Sequence, residues 1–285
     1  MNKLPLANYQ KEQEIFNSIV NSSIEPNILM FKGESGSGKS HLIDHCLKQF
    51  GSSFVAHMRL EHNTESIGTL LNILGSGLNL SRVPLFNETI CDLVGEAPEE
   101  SEARWPIKLR RYLREIGRFT DLETKSSHFQ LLTDSLFSDI SNLDETVLIA
   151  VDTYEKCSTE FDRWFTEEFL FGVAHAPHIK LIVSGQSLPQ PSSDWDSRTI
   201  YHQLNGVADV HAWELWGDLL GLKLPSADVI TGICLALKGN PSAIVGTLRS
   251  QFSGENRTDQ RSQAVNQSPA MSAYNQRKLL RENII

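Results

Sequence analysis

The sequence predicts an α/β fold: a central parallel sheet flanked by helices and followed by a small helical subdomain. Three observations carry this. Short, continuously apolar runs occur at residues 27–32, 146–151 and 179–184, as in strands buried on both faces. Segments with helical periodicity lie between them, and strands that alternate with helices build parallel sheets. Beyond about residue 206 the pattern becomes purely helical, at 209–220, 227–237 and 241–252.

Taken in order, residues 9–20 open the chain as a helix with Ile15, Phe16, Ile19 and Val20 on one face. The run from Asn27 to Lys32 is a buried strand that ends at a glycine-rich loop, and 41–50 continue as a helix. Residues 53–60 read as a second strand and 64–78 as an amphipathic helix. The acidic stretch 95–102, which contains Pro98, reads as an exposed loop. Residues 104–118 form a basic helix with an apolar stripe of Trp105, Leu109, Tyr112, Leu113 and Ile116, and 129–140 another helix. The run 146–151 is the most strand-like segment, and it ends at Asp152. A helix over 160–173 leads to the strand 179–184, and 199–204 is a candidate fifth strand. These patterns divide the chain into an α/β domain at 1–206, a helical subdomain at 207–252 and a polar tail at 253–285. Within the tail, 253–272 is expected to be disordered and 274–285 to form a short helix.

The composition sets outer bounds. The chain has 285 residues, 40% of them hydrophobic, and a net charge of −9. That is enough apolar content for a real core. The acidic balance disfavours a protein that wraps nucleic acid, because neutralising phosphates needs clustered Lys and Arg. Cys46, Cys91, Cys157 and Cys234 stand far apart in no metal-binding spacing, which predicts reduced thiols rather than a zinc site or disulfide framework. No signal-peptide pattern is visible at 1–21, and no apolar run approaches the ~20 residues that span a bilayer. The expectation is a soluble, cytoplasmic protein.

The chemistry concentrates at one loop. Gly33-Glu34-Ser35-Gly36-Ser37-Gly38-Lys39-Ser40 matches GxxxxGK[ST] in full, between a strand and a helix. Glycines let backbone N–H groups turn inward around phosphates. Lys39 reaches the β- and γ-phosphates, the Ser40 hydroxyl suits Mg²⁺, and His41 just beyond counts among the nucleotide-contacting positions. The sequence therefore predicts a P-loop NTPase that binds ATP with Mg²⁺. Asp152, at the end of a distant apolar strand, is the second candidate metal ligand. The position after it is Thr153, so the nearest acid able to orient a hydrolytic water is Glu155. Two roles stand open for Glu155: that one, or a solvated glutamate at a helix start. Ser184 and Gln186 end the next strand, where a polar side chain can sense the γ-phosphate. Gly239-Asn240-Pro241 joins two helices and reads, by itself, as a helix stop and restart.

Together, the P-loop, Val151-Asp152-Thr153-Tyr154-Glu155, Ser184-Gly185-Gln186 and Gly239-Asn240-Pro241 occur in an order that resembles the nucleotide-binding module of the STAND ATPases. These are signal-transduction ATPases with numerous domains, related to the AAA+ proteins. The likeness covers roughly residues 8–250. It implies a nucleotide-controlled switch in signalling or anti-phage defence that self-assembles or binds a partner. It also implies that Pro241, in a GxP motif, packs on the adenine or ribose and links nucleotide state to domain position. The chain departs from the family at Gln186, where an Arg is usual, and at Ala7-Asn8-Tyr9-Gln10-Lys11-Glu12, which lacks an expected Arg. It also has no sensor repeats, which implies a sensor or effector on another chain. Two other readings stand. One is an AAA+-type ATPase acting on nucleic acid, whose phosphate-binding face would be Arg104, Lys108, Arg110, Arg111, Arg114 and Arg118. The other is a structural subunit stabilised by ATP.

Overall fold

The protein is seen in a computed structural model that describes residues 5–22, 25–50, 54–61 and 67–252. The tail expected at 253–285, with its short helix at 274–285, lies outside the described residues.

Five parallel strands form one sheet: β1 (Ile28–Lys32), β2 (Phe54–Arg59), β3 (Val147–Asp152), β4 (Ile179–Gly185) and β5 (Thr199–Gln203), in the order β2-β3-β4-β1-β5. The register aligns their carboxyl ends. Lys32 pairs with Gly185 and Gln203, and Arg59 pairs with Asp152. The loops that follow β1, β2, β3, β4 and β5 therefore leave the sheet on the same side.

Alternation along the strands splits the core into two layers. Ile28 and Met30 of β1, with Val147, Ile149 and Val151 of β3, face one layer of helices. That layer holds α3 (Ile67–Gly77), α4 (Pro84–Val94), α5 (Trp105–Gly117) and α6 (Leu122–Ser141), then α7 (Thr159–Trp164) and α8 (Leu170–His175). Leu29, Phe31, Leu148, Ala150 and Ile182 face the other layer. There they meet α1 (Gln10–Val20) and α2 (Lys39–Gln49). They also meet the late helices α9 (Val210–Leu219), α10 (Ala227–Ala236) and α11 (Pro241–Phe252). The helical segment after residue 206 thus shares one apolar cluster with the first two helices.

Several elements differ from the sequence reading. The stretch between 78 and 95, to which the sequence pattern assigns no element, contains α4, which has proline in its first turn and an αL Gly95 as its stop. The helix expected at 129–140 begins at Leu122, where the Asp121 carboxylate accepts from Thr124 N at 2.8 Å. The helix expected at 160–173 is continuous but contains a π-helical stretch, Phe165–Phe169. The acidic loop 95–102 is only partly exposed. Glu99 is buried and pairs with Lys108 at 2.7 Å, which drives its carboxyl pKa down to about 2, with help from the Ser101 N–H.

Asn27 braces the site-bearing strand. Its buried side chain donates to the carbonyl oxygens of Val173 (2.6 Å), Ile179 (3.2 Å) and Ala176 (3.3 Å), tying the start of β1 to the end of α8 and to β4. Asn27→Ala would leave these buried carbonyls without that donor. The expected cost is about 1–3 kcal/mol in urea unfolding of the nucleotide-free protein.

Glu168, on the π-helical stretch, has its pKa pushed up to about 7 by burial and then by the neighbouring Asp134 and Glu167 charges. The folded-state pKa lies above that of an unfolded glutamate. The stability linked to this group is therefore complete below the unfolded value and lost as pH rises through about 7. Glu168→Gln is expected to melt higher than the wild type at pH 8 and to match it near pH 4 in scanning calorimetry.

Candidate functional site

The loop between β1 and α2 wraps back on itself through Gly36 and Gly38, whose φ values of +78° and +84° only glycine adopts freely. A Cβ at Gly36 would lie 2.6 Å from Asn240 Oδ1, so the position also requires glycine for space.

Carbonyl and N–H groups point in opposite senses along such a loop, and each carbonyl must find a donor. The five carbonyls from Gly33 to Ser37 all do. Lys39 Nζ donates to Gly33 O at 2.7 Å and to Glu34 O at 2.9 Å. Asn240 Nδ2 donates to Ser35 O at 2.8 Å, Ser242 N to Gly36 O at 3.1 Å, and the Tyr9 hydroxyl to Ser37 O at 2.5 Å. The loop's carbonyls are thereby all satisfied; of its N–H groups, Gly33 N donates to Gly185 O at 3.1 Å and Ser37 N to Glu34 O at 3.2 Å. Lys39 is buried. Its pKa is lowered by burial, against which the Glu155 and Asp152 charges act.

Asp152 ends β3, is 1% exposed and accepts two hydrogen bonds. The buried Ser184 hydroxyl, at the end of the adjacent β4, donates to Oδ1. Arg59, at the end of β2, donates to Oδ2 at 3.0 Å. A buried carboxylate thus faces the loop with a hydroxyl and a guanidinium as its partners. Thr153 follows with φ +65°, which turns the chain back across the sheet edge. Glu155 then accepts from Gln186 N at 2.8 Å and Gln186 Nε2 at 3.1 Å. Glu155 thus sits in the first turn of a short 3-10 helix, Tyr154–Lys156, and is tied there to the residue that follows β4.

Beside the loop lies a cleft of about 330 Å³. Pro5, Leu6, Ala7 and Tyr9 form one wall. Gly36, Gly38, Lys39, Ser40 and His41 form its floor, and Trp213, Trp216, Pro241, Ser242 and Val245 close it. Trp216 Nε1 donates to Pro5 O at 3.1 Å and Trp213 Nε1 to Val207 O at 3.0 Å, so the indoles are oriented and their faces fixed. The cleft is mostly apolar and lies beside the glycine-rich loop. It fits a flat ring system joined to an anionic tail.

Of the sequence-predicted residues, Gly36, Gly38 to His41 and Pro241 line this cleft, and Asp152, Glu155 and Ser184 do not. Gly33 to His41, Asp152, Glu155 and Ser184 line the carboxyl edge, and Pro241 reaches it from the helical segment. Sequence reasoning missed Arg59, Tyr9, Asn240 and the two tryptophans. An arginine at the carboxyl end of a parallel strand was a usable signal for Arg59. The others depend on contacts from remote parts of the chain. Among the described residues no cluster of three or more His, Cys, Asp or Glu is gathered to hold a metal, and all four cysteines are free thiols. No described helix is long and apolar enough to cross a membrane.

No family model and no curated protein matches the sequence. Among solved structures, a Walker-type ATPase of Pyrococcus abyssi aligns with a TM-score of 0.51 at 13% identity, over 98% of this chain and 77% of that one. Chains in Drosophila ORC bound to AT-rich DNA and Cdc6 align at 0.40 and 11% identity, over 69% of this chain and 53% of theirs. Those in Drosophila ORC bound to GC-rich DNA and Cdc6 align at 0.38 and 11%, over 69% and 60%. The latter two are too loose to carry an argument. The first is a likeness of fold. This chain has the P-loop NTPase fold, with a five-stranded parallel sheet between helical layers.

Ser184 tests the arrangement around Asp152. Ser184→Ala removes a buried donor to a carboxylate. It should lower the unfolding free energy of the nucleotide-free protein by about 1–3 kcal/mol in a urea titration.

Proposed function

We propose that the protein is an ATP- and Mg²⁺-binding switch of the STAND type, whose nucleotide state governs self-assembly or the binding of a partner in signalling or anti-phage defence. One observation carries this reading: the cleft beside the P-loop is closed by the helical segment, whose Gly239-Asn240-Pro241 turn touches the loop itself. A ligand held there contacts the sheet and the helices at once, and so can bias one against the other through its differential affinity for the two arrangements.

The residues fit the group. The loop N–H groups, Lys39 and Ser40 would hold the phosphates, Ser40 and Asp152 the metal, and Trp213, Trp216 and Pro241 the base. When bound, the metal supplies charge neutralisation on the phosphates. Arg59 and Ser184 hold the Asp152 carboxylate in its orientation. Glu155, held by Gln186, would orient a water for slow hydrolysis.

A second reading, an ATPase acting on nucleic acid, draws on the groove between α3 and α5. This groove of about 370 Å³ is lined by Gly68, Thr69, Asn72, Arg110, Leu113 and Arg114. The rest of that basic helix supports it less, because Lys108 and Arg111 are engaged by Glu99 and Glu96. DNA binding with a steep dependence on salt would favour this reading over the first.

The test is the mass in solution by light scattering, with ATP·Mg²⁺ titrated and tryptophan emission followed in parallel. The wild type should change its emission and grow to a defined oligomer or capture a partner. Lys39→Ala should bind ATP roughly 10- to 150-fold more weakly, as expected for losing about 1.5–3 kcal/mol of charged hydrogen bonding. Growth that is equal in both proteins would sink the switch.

A further inference from the structure

Asn240 sits at a junction of two helices, where its backbone position is explained by helix capping alone. Its Oδ1 accepts from Ala243 N at 3.1 Å, capping α11, and its backbone oxygen accepts from Ile244 N at 3.0 Å. Capping leaves the other half of the amide unused. That half reaches across to the phosphate loop, where Nδ2 donates to Ser35 O at 2.8 Å. Two residues on, the backbone N–H of Ser242 donates to Gly36 O. Gly206 and Gly239 allow the approach from behind. Val207 N donates to Gly239 O at 2.7 Å, and a Cβ at Gly206 would lie 2.7 Å from the carbonyl oxygens of both Lys238 and Gly239.

The middle of the loop thus takes two of its outer hydrogen bonds from the helical segment. Without them, Ser35 O and Gly36 O have no partner on the loop's own side among the described residues. An unpaired carbonyl can rotate inward, where its negative end opposes a phosphate and displaces the N–H that should be there.

We infer that Asn240 is a positioning residue for nucleotide binding: its amide holds the phosphate loop in the shape that presents N–H groups, so docking of the α10–α11 turn sets nucleotide affinity. The inference rests on the nucleotide-binding reading above and adds its route of regulation. By linkage the effect is reciprocal, and a bound nucleotide strengthens docking of the turn by the same factor. A partner that pulls α11 away would release nucleotide, and one that holds it in place would retain it.

Asn240→Ser separates the two functions of the side chain. Serine remains a good cap for α11, adds no charge and is too short to reach Ser35 O. Thr247→Gly is the control, weakening the same helix away from the loop. Affinity for ATP·Mg²⁺ is read by calorimetric titration, and amide exchange is read on the nucleotide-free proteins. The expected result is a Kd raised roughly five- to tenfold in Asn240→Ser, with faster exchange at residues 34–38, and an unchanged Kd in Thr247→Gly. A wild-type Kd and wild-type exchange in Asn240→Ser would overturn the inference while leaving nucleotide binding intact. Equal weakening in both variants would also overturn it, by assigning the effect to helix stability. A wild type that binds no ATP would remove the nucleotide reading itself.

Discussion

The candidate site depends on five carbonyl oxygens. A chain turned tightly through Gly36 and Gly38 can show its N–H groups to an anion only if the oxygens on the outside are satisfied. Here the donors are Lys39, Asn240, Ser242 and Tyr9. Lys39 belongs to the loop. The others come from the opening of the first helix and the start of the last described one. A short glycine-rich sequence is therefore held in an anion-binding shape by the tertiary structure as a whole. Tyr9 is itself constrained: it has φ +84°, and burial raises the pKa of its hydroxyl well above the usual tyrosine value, so it stays a donor.

The negative side of the site is built on the same economy. Asp152 is buried deeply enough that an unpaired charge would be costly. Ser184 and Arg59 meet both of its oxygens from the neighbouring strands, at positions the parallel register places side by side. The Arg59 guanidinium is half-exposed, so it compensates the buried charge while keeping contact with solvent. Thr153, in a left-handed conformation unusual for a β-branched residue, diverts the chain so that Glu155 returns over the end of β4.

Much of this was legible in the sequence. The P-loop is a local pattern whose glycines and lysine have fixed jobs. The runs before Asp152 and Ser184 are apolar because central parallel strands are covered on both faces. What escaped was either masked locally or built at a distance. The helix α4 hides behind a proline and a preceding irregular stretch, and its packing against Asp139, which accepts from Phe86 N at 2.8 Å, is not visible in periodicity. The acidic loop looked solvated, yet Glu99 is buried because Lys108 on the following helix neutralises it. Asn240 read as a helix stop because its cap function is local, whereas its bond to Ser35 spans most of the chain. The contact of Glu155 with Gln186 could not be read from sequence because Gln186 follows β4, about thirty residues on.

The position of β1 has a consequence for how the protein comes into being. Its two neighbours in the sheet are β4 and β5, made long after it, and the last donors to its loop come from the start of α11. On the ribosome, the P-loop therefore emerges well before the strands and the helix that give it its shape. Such long-range pairing is slow to form and exposes apolar strands in the meantime. A nascent chain that stops short of α11 lacks two of the loop's donors, so the loop takes its shape only after that helix has been made.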